Sequence, residues 1–317
     1  MGAGLVAAAA AAAAIAGCSA NDPPGGEGRL SIATGGSGGV YQVYGGGLAD
    51  VLSEELPDSP TTAETTSASV DNLLLVANGE SDIAFTLGDT AIDAVRGDEA
   101  FPRKEPLRAL STLYPNITQV VVKADSGIES IEDLKGKTVS IGAPNSGTEI
   151  IALRMMEVAG LDPDKDIAKR GLGVGESAQA IRDGSIDAFF WSGGVPTGGV
   201  TDLATTDAIR MLPTAKYVDG LRERYGEAYQ EAEIEGGEYP GVDEPVETVG
   251  VPNLLMVNAS MSDDLAFAIT KALYENKKRL AEIVPSAESL DPEKGRELIS
   301  PVKMHPGAQR YYDQAGG

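Results

Sequence analysis

The chain contains the sequence Leu30-Ser31-Ile32-Ala33-Thr34-Gly35-Gly36-Ser37-Gly38-Gly39-Val40-Tyr41. Its first residues have the apolar and β-branched composition of a buried strand, residues 35–39 form a glycine-rich loop, and helical apolar spacing starts at Val40. A strand that passes through a glycine loop into a helix is a typical opening unit of an α/β sheet. The exposed backbone N–H groups at the start of such a helix favour an anion.

The same pattern recurs in the second half of the chain. Residues 138–141 are predicted to form a strand, residues 142–148 form a second polar loop, and a helix is predicted from residue 149 to residue 159. Two sets of residues match at constant offsets of 109 and 105: Ile32, Ser37 and Gly38 with Ile141, Ser146 and Gly147, and Gly79, Asp82, Phe85 and Gly88 with Gly184, Asp187, Phe190 and Gly193. Both matches fall in the same order of elements, which predicts two α/β lobes of similar topology.

Strands and helices alternate along most of the chain, which favours a parallel sheet with helices on both faces. Two β-rich runs, residues 118–123 and 249–257, flank the second repeat and are predicted to be a pair of hinge strands. Lobe 1 is then expected to comprise residues 29–117 and 248–317, and lobe 2 residues 118–247. Lobe 2 includes an acidic excursion, residues 219–247, which is either a solvated surface segment or a docking surface for a partner protein.

The composition excludes several classes of protein. The chain has 25 Lys and Arg against 48 Asp and Glu, a net charge of −23, so we expect no nucleic-acid partner because the chain repels phosphate backbones. A single histidine, His305, and a single cysteine, Cys18, argue against a metal site, a disulfide framework or an iron–sulfur cluster. We therefore expect neither a metal nor a cofactor.

The N-terminus has the features of an export signal. Residues 3–17 are small or apolar throughout, and the run is too short to span a bilayer. It ends in Ile15-Ala16-Gly17-Cys18, which is similar to the lipobox of bacterial lipoproteins. We therefore predict a signal peptide over residues 1–17, a lipid on Cys18, a flexible Pro/Gly-rich tether over residues 18–28, and an extracytoplasmic protein anchored to the cell membrane.

The glycine loop permits two interpretations. Residues 35–39 fit the pattern G-x-S-x-G, so Ser37 with His305 would suit a secreted serine hydrolase. Alternatively, this loop and its counterpart in the second repeat are cradles for a ligand at helix starts. Because ligands of open α/β sheets bind at the carboxyl ends of strands, the strand-end loops of two facing lobes would line one cleft. Such a cleft, rich in Ser, Thr, Asn, Tyr, Trp and backbone N–H groups, indicates binding without catalysis.

The order of several motifs resembles the TAXI-type solute-binding proteins, the TRAP-associated extracytoplasmic immunogenic family. The motifs are residues 30–41, Ser69-Val70-Asp71-Asn72-Leu73, Gly79 with Asp82-Ile83-Ala84-Phe85, Asn145-Ser146-Gly147-Thr148, and His305-Pro306-Gly307-Ala308. The resemblance implies a type II periplasmic-binding-protein fold, with two α/β lobes, a two-strand hinge and a ligand cleft between the lobes. It also implies delivery of an amino acid such as glutamate, or a related carboxylate, to a TRAP-type membrane permease.

The same resemblance implies a set of ligand-binding residues and no catalytic residue. Ser37 and Ser146, with the N–H groups beside them, would hold a carboxylate, and Tyr41 and Trp191 would enclose the apolar part of the ligand. The implied set is Gly36, Ser37, Gly39, Tyr41, Ser67, Asn72 and Thr86 in lobe 1, and Ser146, Gly147, Thr148, Trp191 and Ser192 in lobe 2. We expect a monomer. A subunit that senses the ligand for a membrane kinase would use the same cleft and is a further alternative.

Overall fold

The computed structural model describes residues 28–315. The predicted signal peptide over residues 1–17, the predicted lipidation site Cys18 and nearly all of the predicted tether lie outside these residues. Within residues 28–315, no helix combines the length and the apolar character that crossing a bilayer requires.

Ten strands within residues 28–315 form one sheet. Its main path runs in the order β2-β1-β3-β10-β4-β7-β5-β6, with β8 paired to β4 and β9 paired to β10. The strands are β1 (Leu30–Ala33), β2 (Thr61–Glu64), β3 (Ile83–Leu87), β4 (Leu107–Lys123), β5 (Thr138–Ser140), β6 (Ala168–Arg170), β7 (Ala188–Gly193), β8 (Ile209–Met211), β9 (Gln230–Ile234) and β10 (Val246–Asn258).

The sheet contains the same three-strand unit twice. Strand β1 pairs in parallel with β2 and β3, and β5 pairs in parallel with β6 and β7. The two units lie at opposite ends of the sheet, separated by β4 and β10. This confirms the two lobes of similar topology that the sequence predicts, with antiparallel pairing confined to the strands between and beside them.

The two lobes are joined by the long strands β4 and β10. The β-rich run predicted over residues 118–123 is the second half of one long strand, because β4 starts at Leu107 and continues through Pro115. Pro115 pairs with Pro252 of β10, and the register of the two strands shifts beside this pair. Since proline has no N–H to donate, neither residue of this pair can donate a backbone hydrogen bond to the opposite strand. Both strands nevertheless continue past the pair. The exact domain boundaries stay a prediction.

The helices cover both faces of the sheet. They are α1 (Val40–Glu55), α2 (Ser69–Asn78), α3 (Gly88–Arg96), α4 (Gly147–Val158), α5 (Val174–Arg182), α6 (Gly198–Thr206), α7 (Val218–Tyr225), α8 (Asp263–Glu275), α9 (Lys277–Ile283), α10 (Pro292–Gly295) and α11 (Pro306–Ala315). The helical region over residues 263–283 is not continuous. It is divided at Asn276, whose side-chain amide donates to the carbonyl of Ala272 and to Glu55, so that α8 ends there.

Apolar side chains pack in three clusters. One lies against helices of lobe 1, a second lies in lobe 2, and the third extends across both lobes and joins Leu73 and Ile92 to Ile151 and Met155. The acidic excursion is part of this packing rather than a wholly solvated segment, since it contains α7 and β9. Its residues Tyr229 and Tyr239 are fully buried.

Candidate functional site

A small, mostly apolar cavity of about 50 Å³ lies where the two lobes meet. It is bounded by the carboxyl ends of β1, β3 and β7 and by the hinge strand β4. The structure places ten of the twelve predicted residues around this cavity: Gly36, Ser37, Gly39, Tyr41 and Ser67 from lobe 1, and Ser146, Gly147, Thr148, Trp191 and Ser192 from lobe 2. Their role in binding stays a prediction.

Four helices start at the cavity wall. The first residues of α1, α2, α4 and α5 are Val40, Ser69, Gly147 and Val174, and all four line the cavity. Each helix start carries a partial positive charge from its unsatisfied backbone N–H groups. The site therefore has a positive potential that comes from the backbone.

The helix starts differ in how far their N–H groups are already used. Ser146 caps α4 by accepting from the N–H of Glu149 at 3.1 Å. The carbonyl of Asn145 accepts from the N–H groups of Val70 and Asp71 in α2, at 3.2 and 3.4 Å. Helix α1 is sixteen residues long, and no side chain of the described residues caps it. Helix α5 likewise has no side-chain cap on its first turn, so the starts of α1 and α5 are less satisfied than those of α2 and α4.

Aromatic side chains enclose the same space. Trp191 lies against Gly39, where an added Cβ would come within 3.1 Å of the indole ring. The indole Nε1 of Trp191 donates to Thr197 Oγ1 at 2.9 Å, which fixes the orientation of the ring. Tyr41 donates to Asn253 Oδ1 of β10. Burial raises the pKa of the Tyr41 phenol far above its ordinary value, so this side chain is neutral at physiological pH.

The hinge strand β4 contributes two residues that sequence reasoning missed. Tyr114 and Asn116 line the cavity, and both are at least 95% buried. The amide nitrogen of Asn116 donates to Ser192 Oγ at 3.1 Å. Among the described residues, four buried side-chain oxygens lack a hydrogen-bond partner, and two of these are Tyr114 Oη and Asn116 Oδ1. The signal in the sequence was a Tyr-Pro-Asn interruption between two β-rich runs.

Two predicted residues do not line the cavity. Asn72 is fully buried, and its amide donates to the backbone carbonyls of Thr34 and Phe85 at 2.6 and 2.8 Å. It therefore ties the ends of β1 and β3 together. Thr86 also lies outside the lining, and the next residue, Leu87, takes its place. The reason is the strand period of two, because neighbouring residues of β3 point to opposite faces.

The structure does not assemble the serine–histidine pair of the hydrolase alternative. His305 does not line the cavity on which Ser37 lies, and it is 1% exposed. Its Nε2 lies 3.1 Å from the carbonyl of Met261, and its Nδ1 accepts from the N–H of Gly307 at 3.2 Å. Burial lowers the pKa of His305. The side chain secures the start of α11.

The lining carries no Lys, Arg, Asp or Glu within the part of the chain that the structure describes. Hydrogen bonding therefore depends on neutral groups, namely hydroxyls, the Asn116 amide and backbone N–H groups. The net negative charge of the chain lies elsewhere. A site of this kind can hold an anion through helix starts and neutral donors, without a cationic side chain.

Comparison with solved structures identifies the class of this architecture. A protein from Bordetella bronchiseptica RB50 matches with 16% identity, a TM-score of 0.58, and coverage of 91% of this chain and 98% of that chain. The alkanesulfonate-binding protein from Xanthomonas axonopodis pv. citri, bound to MOPS, matches with 16% identity, a TM-score of 0.51, and coverage of 90% and 83%. The zinc-bound ligand-binding component of an ABC-type import system from Staphylococcus aureus matches with 9% identity, a TM-score of 0.50, and coverage of 90% and 84%.

The fold is thus that of the periplasmic binding proteins, with two lobes, a two-strand hinge and a cavity between them, as the sequence predicts. Residues 32–316 match the NMT1-like family, and the chain belongs to that family. The predicted membership of the TAXI-type family is wrong, because the family that residues 32–316 match is the NMT1-like family. The TRAP permease expected from that resemblance loses its support.

Proposed function

We propose that this protein is an extracytoplasmic solute-binding receptor that encloses a small anionic solute between its lobes. The observation that carries the proposal is the convergence of four helix starts on an uncharged cavity that also contains unpartnered buried oxygens. Buried polar atoms are almost always hydrogen-bonded in native proteins, so an occupant is the natural partner for these oxygens. A small carboxylate or sulfonate has the charge that the helix starts favour.

The lobes supply complementary parts of the site. Lobe 1 contributes the uncapped start of α1 and the phenol of Tyr41, and lobe 2 contributes Trp191 and the start of α4. A ligand between them contacts both lobes only when the cleft is closed. Binding would therefore shift the hinge equilibrium towards the closed form.

We propose a membrane permease as the partner that receives the solute. Support for this step comes from the named relatives, one of which is a component of an ABC-type import system. We infer that the permease recognises the closed arrangement of the two lobes, because only that arrangement signals an occupied site.

The proposed location is outside the cytoplasmic membrane, with a lipid on Cys18. The support is the run of small and apolar residues that ends in Ile15-Ala16-Gly17-Cys18. Expression of the full chain in a bacterial host tests this step. Wild-type protein should be recovered in the membrane fraction with the mass of a lipid on Cys18. A Cys18→Ala variant should lack that mass, and equal partition of both proteins into the soluble fraction would contradict the anchor.

Trp191 provides the test of solute binding, because it is the only tryptophan of the chain and it lines the cavity. The purified protein is titrated with acetate, propionate, lactate, glycine, succinate, glutamate, ethanesulfonate and sulfate, and Trp191 emission and the melting temperature are followed. We expect a saturable change in emission with at least one anion. A ligand at 100 times its Kd should add about 2.7 kcal/mol to the free energy of unfolding. No response in either measurement across the panel would overturn the proposal.

A further inference from the structure

We infer that the ligand is a monoanion with a hydrogen-bond donor close to its anionic group, in chemical terms a small α-hydroxy acid or the corresponding hydroxy sulfonate. Asn116 and Tyr114 accept that donor. This inference rests on the proposed function, since it assigns the ligand class and the specificity-determining residues of the same cavity.

The first step concerns Asn116. Its Nδ2 is used by Ser192 Oγ at 3.1 Å, so the part of the amide left without a partner is Oδ1, which can only accept. Asn116 is 1% exposed, and burial of an unpaired acceptor costs about 1–3 kcal/mol. A ligand hydroxyl group would remove that cost, whereas an unsubstituted acid such as propionate would leave it in place.

The second step concerns Tyr114, which lies two residues before Asn116 on β4. Its Oη is buried and unpartnered, and its ring stacks on Tyr44 with centroids 6.0 Å apart. Burial raises the pKa of Tyr114 well above its ordinary value, so the phenol stays neutral and can both donate and accept. Tyr114 Oη and Asn116 Oδ1 can therefore both accept from the hydroxyl of the ligand. Alternatively, Asn116 Oδ1 accepts from that hydroxyl while Tyr114 Oη donates to the anionic group.

The third step concerns the charge of the ligand. One anionic group can be placed at the uncapped start of α1. A second carboxylate would have to enter a cavity with no Lys or Arg among the described lining residues. A charge that enters an apolar cavity without a partner is strongly disfavoured. Succinate and glutamate, each with a second carboxylate, should therefore bind more weakly than lactate.

The size of the cavity agrees with this class. A volume of about 50 Å³ holds the centres of roughly four water molecules, since one water needs about 10–15 Å³. That space suits an acid of two or three carbons, with some opening of the lobes, rather than a long-chain acid.

Two matched ligand pairs test the inference: lactate with propionate, and isethionate with ethanesulfonate. Within each pair the members differ only in the hydroxyl, which lies on the carbon next to the carboxylate in lactate and one carbon further from the anionic group in isethionate. We expect the hydroxylated member of at least one pair to bind about 10- to 100-fold more tightly than the member without the hydroxyl. The reason is that the compound without the hydroxyl leaves the buried Asn116 Oδ1 unpaired. In Asn116→Leu this ratio should fall towards one. Tyr114→Phe removes only a hydroxyl and serves as the second variant if Asn116→Leu fails to fold.

Thr118→Val is the matched control variant. Thr118 lies on the same strand, and its Oγ1 is also buried and unpartnered, but Thr118 does not line the cavity. The ratio within each pair should be unchanged in this variant. Equal affinity of both members of each pair in the wild-type protein would overturn the inference while leaving the proposed function intact. Tighter binding of succinate than of lactate would also overturn it, and failure of every anion to bind would overturn the proposed function itself.

Discussion

Arg154 on α4 of lobe 2 donates from Nη2 to Oδ2 of Asp93 on α3 of lobe 1, at 2.7 Å. Its Nη1 donates to the phenol of Tyr229 at 3.0 Å, and that phenol donates to Asp89 at 2.8 Å. Glu99, which is half exposed, lies 3.7 Å from Arg154 Nη2. One guanidinium thus serves two buried carboxyl groups of the other lobe, and none of these residues lines the cavity.

The first prediction concerns Arg154 itself. Arg154→Met should lower the free energy of unfolding by about 3–5 kcal/mol, because it leaves Asp89 and Asp93 buried beside each other without their cation. Urea unfolding measures this loss. Arg224→Met is the control, since its ion pair with Glu157 is about half exposed and should contribute little. Equal losses in the two variants would show that the buried cluster has no special role in stability.

The second prediction concerns pH. Burial, opposed by Arg154 and reinforced by the charge of Asp89, raises the pKa of Asp93 to about 7. A carboxyl group with a raised pKa holds a proton in the folded state after the unfolded chain has released it. Its contribution to stability is therefore complete below about pH 4 and is lost as the pH rises through about 7.

Asp93→Asn removes this titration and keeps an acceptor for Arg154. The free energy of unfolding of the variant, compared with that of the wild-type protein, should therefore improve from about pH 5 to about pH 8. Urea unfolding at both pH values measures the difference. A difference that is constant, or that changes in the opposite direction, would contradict the assigned pKa.

The fold could be predicted from the sequence because the signals are local and repeated. Three signals in the sequence depend only on the residues of the segments themselves. They are the glycine loops after β1 and β5, the matches at constant offset and the β-rich runs. The sequence match pairs Ser37 with Ser146, but the two residues do not occupy equivalent positions. Ser146 directly precedes α4 and caps it, whereas the residue that directly precedes α1 is Gly39, two positions after Ser37. Small differences of this kind do not alter the topology.

The site could be predicted only in part, and its missing members depend on contacts between distant segments. Asn116 lies at the site because β4 passes between the lobes and brings its amide to Ser192. Asn72 has the residue type of a ligand contact, but two backbone carbonyls of its own lobe use its amide. Neither fact is encoded in spacing along the chain.

The third prediction concerns the contact between the lobes at Gly147. A Cβ added there would lie 2.6 Å from Leu87 Cδ1 and 2.7 Å from Ser69 Oγ, and both atoms belong to lobe 1. Gly147→Ala should therefore oppose closure. Overpacking costs about 1–3 kcal/mol, which corresponds to a ligand affinity roughly 5- to 150-fold weaker. The Kd of the tightest anion of the panel, from Trp191 emission, measures this effect.

Gly46→Ala is the control for that variant. Gly46 lies within α1, and an added Cβ would have no atom within 4 Å. The substitution should leave the Kd unchanged and raise the free energy of unfolding by up to about 1 kcal/mol, because alanine favours a helix over glycine. If both alanine variants left the Kd unchanged, the contact at Gly147 would not limit closure.

The fourth prediction concerns the residue that orients Trp191. Thr197 is fully buried, and its Oγ1 accepts from the indole Nε1 and donates to the carbonyl of Gly194 at 2.5 Å. Thr197→Val keeps the shape but leaves both partners unpaired, so we expect a loss of about 1–3 kcal/mol in the free energy of unfolding. The indole should also become more mobile, which lowers the anisotropy of Trp191 emission and weakens anion binding.

Thr201→Val is the control for that variant. It should change neither the anisotropy nor the Kd, because the Thr201 hydroxyl donates to the backbone carbonyl of Thr197 and not to the indole. Unchanged anisotropy and Kd in Thr197→Val would mean that packing against Gly39 alone holds the indole in place.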